Sequence, residues 1–198
     1  MTVTADLVKQ LRDRTGAGMM ECKKALVDSN GDFEKAIDSL RKSGVSRAEQ
    51  RSGRAASEGL VEAYIHPGNR VGVLIEVNCE TDFVARTDEF QELVRNLAMQ
   101  VAAAGAEYVR REEVPADRVE REKEIFASQV AAQGKPAAVV EKIVSGKLDK
   151  FFSEICLLEQ PYIRDDKVTI SALIQQAAAK TGENVQVRRF TRFRLGQD

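Results

Sequence analysis

Along residues 71–78, Val71, Val73, Ile75 and Val77 alternate with Gly72, Leu74, Glu76 and Asn78, the period-two pattern of a half-buried strand. The same alternation marks 60–66, where Leu60, Glu62, Tyr64 and His66 interleave with Val61, Ala63 and Ile65. His66-Pro67-Gly68-Asn69 supplies turn chemistry between them, so the two runs read as a hairpin. A third alternating run, NVQVRRFTRFRL at 184–195, predicts a closing strand.

Elsewhere the apolar positions fall at helical spacing. Thr4 is placed to cap a first helix carrying Leu7, Val8 and Leu11, which Thr15-Gly16-Ala17-Gly18 breaks. Met19, Cys22 and Leu26 line a second helix ending at Asn30-Gly31. Asp32 caps a third, with Phe33, Ile37 and Leu40 inward and Gly44 as its stop. Further helices are predicted over 87–104, over 116–133 with Gly134 closing it, over 137–145 with Gly146 as stop, and over 147–156. Residues 157–163 read as extended and interrupted by Pro161, Asp165-Asp166 as a turn, and 170–181 as a helix ended by Gly182.

These elements predict an α+β chain. Residues 1–45 form a three-helix bundle. Residues 46–56 are a polar, basic connector, in which Arg47, Arg51 and Arg54 face only Glu49. Residues 57–198 form an α+β domain, a three-stranded antiparallel sheet covered by helices on one side.

The strand at 71–78 runs into Thr81-Asp82, good helix-initiating chemistry, and then sets an aromatic, Phe83, at its tip. Two readings follow from the spacing. A continuous helix from Asp82 would put Phe83 in register with Phe90 and Leu97 on a buried stripe, as a plug for the chain's own core. A fresh start at Thr87-Asp88-Glu89 would leave 81–86 a separate short turn and free Phe83 to wedge into a partner.

Charge changes the picture by subtraction. Thirty basic against 31 acidic residues give a net charge of −1, whereas a general nucleic-acid binder is strongly basic. The competing reading is an RNA-binding strand: Arg188, Arg189, Phe190, Arg192, Phe193 and Arg194 put four arginines and two rings in one run. Balanced charge favours a strand that buries one face and shows its arginines on the other. Cys22, Cys79 and Cys156 are odd in number and form no CxxC, which fits reduced thiols in a cytoplasmic protein. No apolar run approaches the roughly 20 residues of a membrane span, and MTVTADLVKQLRDR lacks the pattern of a signal peptide.

Enzyme readings lack parts. There is no GxxxxGK[ST], so Gly16 and Gly18 read as helix breakers and no direct nucleotide binding is expected. There is no GxSxG, and the single histidine, His66, precedes Pro67 in a turn. One histidine and scattered carboxylates predict neither a metal site nor a catalytic residue, and no cofactor is called for.

EVNCETDFVAR at 76–86 and TGAGMMECKKAL at 15–26 resemble the two signatures of the bacterial elongation factor Ts family. GKP at 134–136, EQP at 159–161 and GENVQVRRF at 182–190 resemble its later landmarks, in the family's order. The resemblance implies a guanine-nucleotide exchange factor for elongation factor Tu. In it Thr81, Asp82, Phe83 and Val84 dislodge magnesium in the partner. The N-terminal bundle, of ubiquitin-associated type, docks the partner through Arg12, Met19, Met20 and Lys23. Met19 also shares the Cys22/Leu26 stripe, so a core role is open to it; Met20 and Lys23 fall off that stripe. Many family members carry two core units and a coiled-coil insertion, whereas this chain has room for one and no long heptad segment. A lone sheet leaves one apolar face uncovered; short members of the family resolve this by pairing two chains, so the resemblance implies a homodimer through the sheet, with Val185, Val187 or Phe193 among the residues it buries. No cysteine lies on the last strand, so no disulfide is expected across that interface.

Overall fold

The computed structural model describes residues 3–131 and 136–197, and of residues 45, 47–49, 137 and 138 the backbone alone. Gly134 and the side chains of Arg47 and Glu49 therefore lie outside the described residues.

Local chemistry sets the first three helices. Thr4 caps α1 (Ala5–Thr15), its hydroxyl accepting the Leu7 N–H at 3.3 Å. Gly16, at φ 70°, closes α1 by donating to the Arg12 carbonyl, the left-handed cap that suits glycine. In α2 (Met19–Asp28) the Glu21 carboxylate reaches back to the Gly18 N–H at 3.3 Å. Asp32 caps α3 (Phe33–Arg51) by accepting the Lys35 N–H at 3.1 Å, and this bond holds its carboxyl below the usual carboxylate range. Val8, Leu11, Cys22, Ala25, Leu26, Ala36, Ile37 and Leu40 form the bundle core.

The hairpin strands are β1 (Glu58–Ile65) and β2 (Val71–Cys79). Their turn places Gly68 and Asn69 at positive φ, and the His66 N–H closes it on the Val71 carbonyl at 2.9 Å. At Gly59 a Cβ would stand 2.1 Å from the Val77 carbonyl oxygen, so only glycine lets β1 approach β2 there. A four-residue helix, α4 (Asp82–Ala85), precedes α5 (Asp88–Ala104). After these come α6 (Ala116–Ala131), α7 (Ala137–Ile155), the short pair β3 (Pro161–Tyr162) and β4 (Asp165–Thr169), α8 (Ile170–Thr181) and β5 (Gln186–Arg194). The antiparallel sheet has the order β1-β2-β5, and with the N-terminal helices this is the expected α+β class.

The chain forms two compact units, and the three strands run through both. One comprises Met1–Leu60, Val77–Leu93 and Ile174–Gln186; the other Val61–Glu76, Val94–Leu173 and Val187–Asp198. In the second, Val73 and Ile75 are buried on β2 while Leu74 between them is exposed. Val61, Ile65, Phe193 and Leu195 are also exposed, so an apolar sheet face is open to solvent. Gln100 is fully buried there, donating to the Gln160 side chain and the Pro161 carbonyl and accepting the Ile163 N–H at 2.9 Å. Those bonds fix the 160–163 segment on α5. Among the described residues no helix is long and apolar enough to cross a membrane.

Four expectations change. Gly44 does not stop α3, which runs to Arg51. A Cβ there would stand 3.3 Å from the Ala179 Cβ, so the glycine permits a close approach to α8. Gly146 likewise sits inside one helix, α7. An exposed helix glycine costs about 1 kcal/mol, and the inward stripe Val144, Leu148, Phe151, Ile155 runs straight through it. Residues 157–159 form a 3-10 turn and 161–162 a strand paired with β4, so Asp165 and Asp166 begin a strand and the turn is Ile163-Arg164. Val185 and Val187 are buried within the chain itself, which leaves Phe193, at 72% exposure, as the one of the three available to a partner.

Candidate functional site

The site begins where β2 leaves the sheet. Thr81, in extended conformation, caps α4, its hydroxyl accepting the Val84 N–H at 3.4 Å. Arg86 ends the turn by donating to the Asp82 carbonyl at 3.1 Å. Thr87 then starts α5 afresh: its hydroxyl accepts the Phe90 N–H at 3.3 Å and donates to the Val84 carbonyl at 2.8 Å. The two helices are thus separate, and the stripe divides. Phe90 and Leu97 are buried, whereas Phe83 is 79% exposed. Phe83 is no plug for the chain's own core.

Asp82 does not cap the turn; it is the first helical residue, and its carboxylate pairs with Arg86 at 2.9 Å. Both partners face solvent, where such a pair contributes about 0–1 kcal/mol. Thr81, Asp82, Phe83 and Val84 therefore stand together on one short turn, with the ring at its outer surface.

The turn is tied to a segment more than 100 residues away. One oxygen of the Glu183 carboxylate accepts the backbone N–H groups of Glu80 and Thr81, each at 3.0 Å; the other accepts the Thr81 hydroxyl at 2.6 Å. In return the Glu80 carboxylate accepts the Asn184 N–H at 2.7 Å and pairs with Arg54 at 3.6 Å. The Asn184 side chain is buried and donates to the carbonyls of Ser52 (3.3 Å) and Arg54 (2.8 Å). Cys79 lies beneath, its thiol donating to the Thr81 carbonyl at 3.2 Å. Burial, and then the Glu183 charge, push that thiol up to about 11.

The second group of expected residues lies on the bundle. Arg12 is exposed on α1, and Met19, Met20 and Lys23 are exposed on α2. Met19 is 47% exposed and Met20 74%. The inward reading of Met19 fails because it is the first residue of α2, one turn before the buried stripe begins at Cys22. Val27, also exposed, lies two turns beyond Met20 on the same side of α2. Its spacing from Met20 was the available signal for it. Glu183 and Asn184 carried no local signal beyond their place after the helix stop Gly182, in the run GENVQVRRF.

The family profile described as "Elongation factor TS" matches residues 2–197. The chain is 59% identical over 195 residues to the Elongation factor Ts of Heliobacterium modesticaldum, covering 98% of this chain and 91% of that protein. It is 59% identical over 197 residues to that of Moorella thermoacetica, covering 100% and 97%. It is 55% identical over 197 residues to that of Fervidobacterium nodosum, covering 100% of both.

Proposed function

The chain belongs to the elongation factor Ts family and is a translation elongation factor; from that premise we propose that it binds elongation factor Tu in the cytoplasm and drives GDP off it. The observation that carries this reading is Phe83, a large apolar ring 79% exposed on a turn clamped at its base.

Exchange is a binding problem without a covalent step, so the factor needs no catalytic residue of its own. Elongation factor Tu holds GDP through its phosphate loop and a magnesium ion. A nanomolar affinity corresponds to about 12 kcal/mol. Speeding release a thousandfold means removing about 4 kcal/mol of the barrier. Phe83 enters the partner as a wedge, and Thr81, Asp82 and Val84 shape the turn that presents it. The elements that position magnesium and the phosphate loop are displaced.

Residues 1–45 serve as the docking module, and residues 46–56, into which α3 continues as far as Arg51, join it to residues 57–198. Arg12, Met19, Met20 and Lys23 are its contact residues; their exposure, and that of Val27, supports this assignment. The open sheet face supports a homodimer. Ala63, Ile65, Gly72, Leu74, Phe193 and Leu195 line an apolar groove there, and a second copy of the same face would cover it.

The RNA-binding reading gains nothing from the structure. Arg189 pairs with Glu76 at 2.7 Å, and Phe190 is partly buried, so the strand presents no row of stacking rings. The deciding experiment is release of labelled GDP from elongation factor Tu. A catalytic amount of this protein accelerates it if the proposal holds, and no acceleration at any concentration ends the proposal.

A further inference from the structure

We propose that Glu183 and Asn184 are positioning residues for the exchange turn: they hold Thr81–Val84 in the one geometry from which Phe83 can act. This rests on the exchange-factor reading above.

The turn cannot hold itself. Isolated helices shorter than about 12 residues are marginal in water, and α4 has four. At its exit the backbone closes through Ala85 on Thr81 (3.3 Å), Arg86 on Asp82 (3.1 Å) and Thr87 on Val84 (3.0 Å), all within one turn of chain. Phe83 adds no anchorage, because its ring points outward. The fixed points come from outside, where the single Glu183 carboxylate takes both backbone N–H groups that enter the turn and the hydroxyl that caps it. Hydrogen bonds to an ionised acceptor are roughly twice as strong as neutral ones, and three converge on this group. The Glu80 carboxylate answers by holding the Asn184 N–H, so the two segments clamp each other reciprocally. Asn184 extends the clamp to the carbonyls of Ser52 and Arg54, just past the end of α3. An exposed ring on a loose turn must be ordered when the partner binds, and that ordering is subtracted from the binding energy. The clamp completes the ordering beforehand.

Two measurements on the full chain test this. Amide hydrogen exchange of the free protein follows Glu80 and Thr81, whose N–H groups meet Glu183. Stopped-flow release of labelled GDP from elongation factor Tu, titrated with the factor, separates the plateau rate from the half-saturating concentration. In Glu183→Ala the two amides should exchange about tenfold faster or more, while the buried amides of β2 stay protected. The plateau should fall about tenfold and half-saturation move less than about threefold, since the docking residues are untouched. Glu183→Gln, which keeps one acceptor oxygen, should recover most of both. Protected amides in Glu183→Ala overturn the clamp, and faster amides with an unchanged plateau overturn its role in exchange. If Glu183→Ala does not fold, Thr81→Val removes the hydroxyl that donates to Glu183 and caps α4, and keeps the side-chain shape. It must lower the plateau, and an unchanged plateau overturns the proposal. A wild-type protein that fails to release GDP refutes the exchange reading itself, while the amide measurement still decides the clamp.

Discussion

Replacing Phe83 with alanine separates two roles that an aromatic residue can play. A phenylalanine side chain offers about 200 Å² of surface, and Phe83 leaves 79% of itself in solvent. About 40 Å² is therefore covered, which at about 25 cal/mol per Å² amounts to about 1 kcal/mol. For a chain of 198 residues this lowers the melting temperature by about 2–4 °C. Phe90→Ala, at a site 1% exposed, should remove about 3–5 kcal/mol and serves as the reference for a true core loss. The remaining 160 Å² or so of Phe83, buried against a partner, would contribute about 4 kcal/mol, the same size as a thousandfold acceleration. Phe83→Ala should thus melt almost like the parent and lose at least tenfold in the plateau rate of GDP release, with half-saturation little moved. Calorimetry and stopped-flow fluorescence with labelled GDP read the two quantities. A drop in melting temperature above about 10 °C, or a full plateau reached only at higher factor concentration, refutes the wedge.

Three further outcomes follow from the same structure. Met20→Ala or Arg12→Ala should raise the half-saturating concentration about tenfold with the saturated rate of GDP release unchanged, checked in the same titration. Phe193→Asp should halve the mass seen by sedimentation at micromolar concentration, because a carboxylate on the open sheet face cannot be covered by its own copy; a wild-type protein that sediments as a monomer rejects the dimer outright. Burial, followed by the charges of Glu183 and Glu159 respectively, pushes the thiols of Cys79 and Cys156 up to about 11, so the native chain keeps protons that the unfolded chain loses above about 8.5. Their contribution to stability is whole below that pH and is lost as pH rises toward 11, and denaturant midpoints at pH 8 and 10.5 should differ less in a Cys79→Ala, Cys156→Ala variant than in the parent.

Features that depend on near neighbours were legible in the sequence. Thr4 and Asp32 cap the helices they were expected to cap, and Thr87 caps the fresh start that was one of two open readings, because a hydroxyl or carboxylate reaches an N–H three residues ahead in almost any context. The hairpin and the closing strand follow from period-two alternation. Glycine was the misleading letter. Its intrinsic penalty at Gly44 and Gly146 is about 1 kcal/mol each, which the close approach to Ala179 and the continuing apolar stripe of α7 respectively outweigh. The pair β3 and β4 escaped because its strands have two and five residues, too short for alternation to register. Within the candidate site, the turn and the exposed ring follow from Thr81 and Thr87. The bonds that hold the turn join residues 102 and 103 positions apart, and no local pattern announces them.

The separation of the two groups bears on how an exchange factor can turn over. Linkage requires that a factor which weakens GDP by some ratio be weakened by GDP in the same ratio. If the wedge alone bound the partner, GDP would expel the factor before it could act, and occupancy would be lost with exchange. A docking surface that is indifferent to nucleotide removes that conflict, for it holds the factor on the partner while the wedge and the nucleotide compete. On the proposed reading the bundle would supply such a surface through Met20 and Val27, which are exposed on a helix whose own core is closed beneath it. Phe83 stands on a different element, α4, and on the proposed reading its contribution would be gained only where the phosphate loop yields. Rigid attachment decides how much of the roughly 4 kcal/mol in the ring reaches the partner. A loose turn would lose part of it as ordering entropy, whereas the three bonds to Glu183 leave the turn little freedom to surrender. If Met20 docks and Phe83 wedges as proposed, docking strength and exchange power would be set by different residues, and each could change without the other.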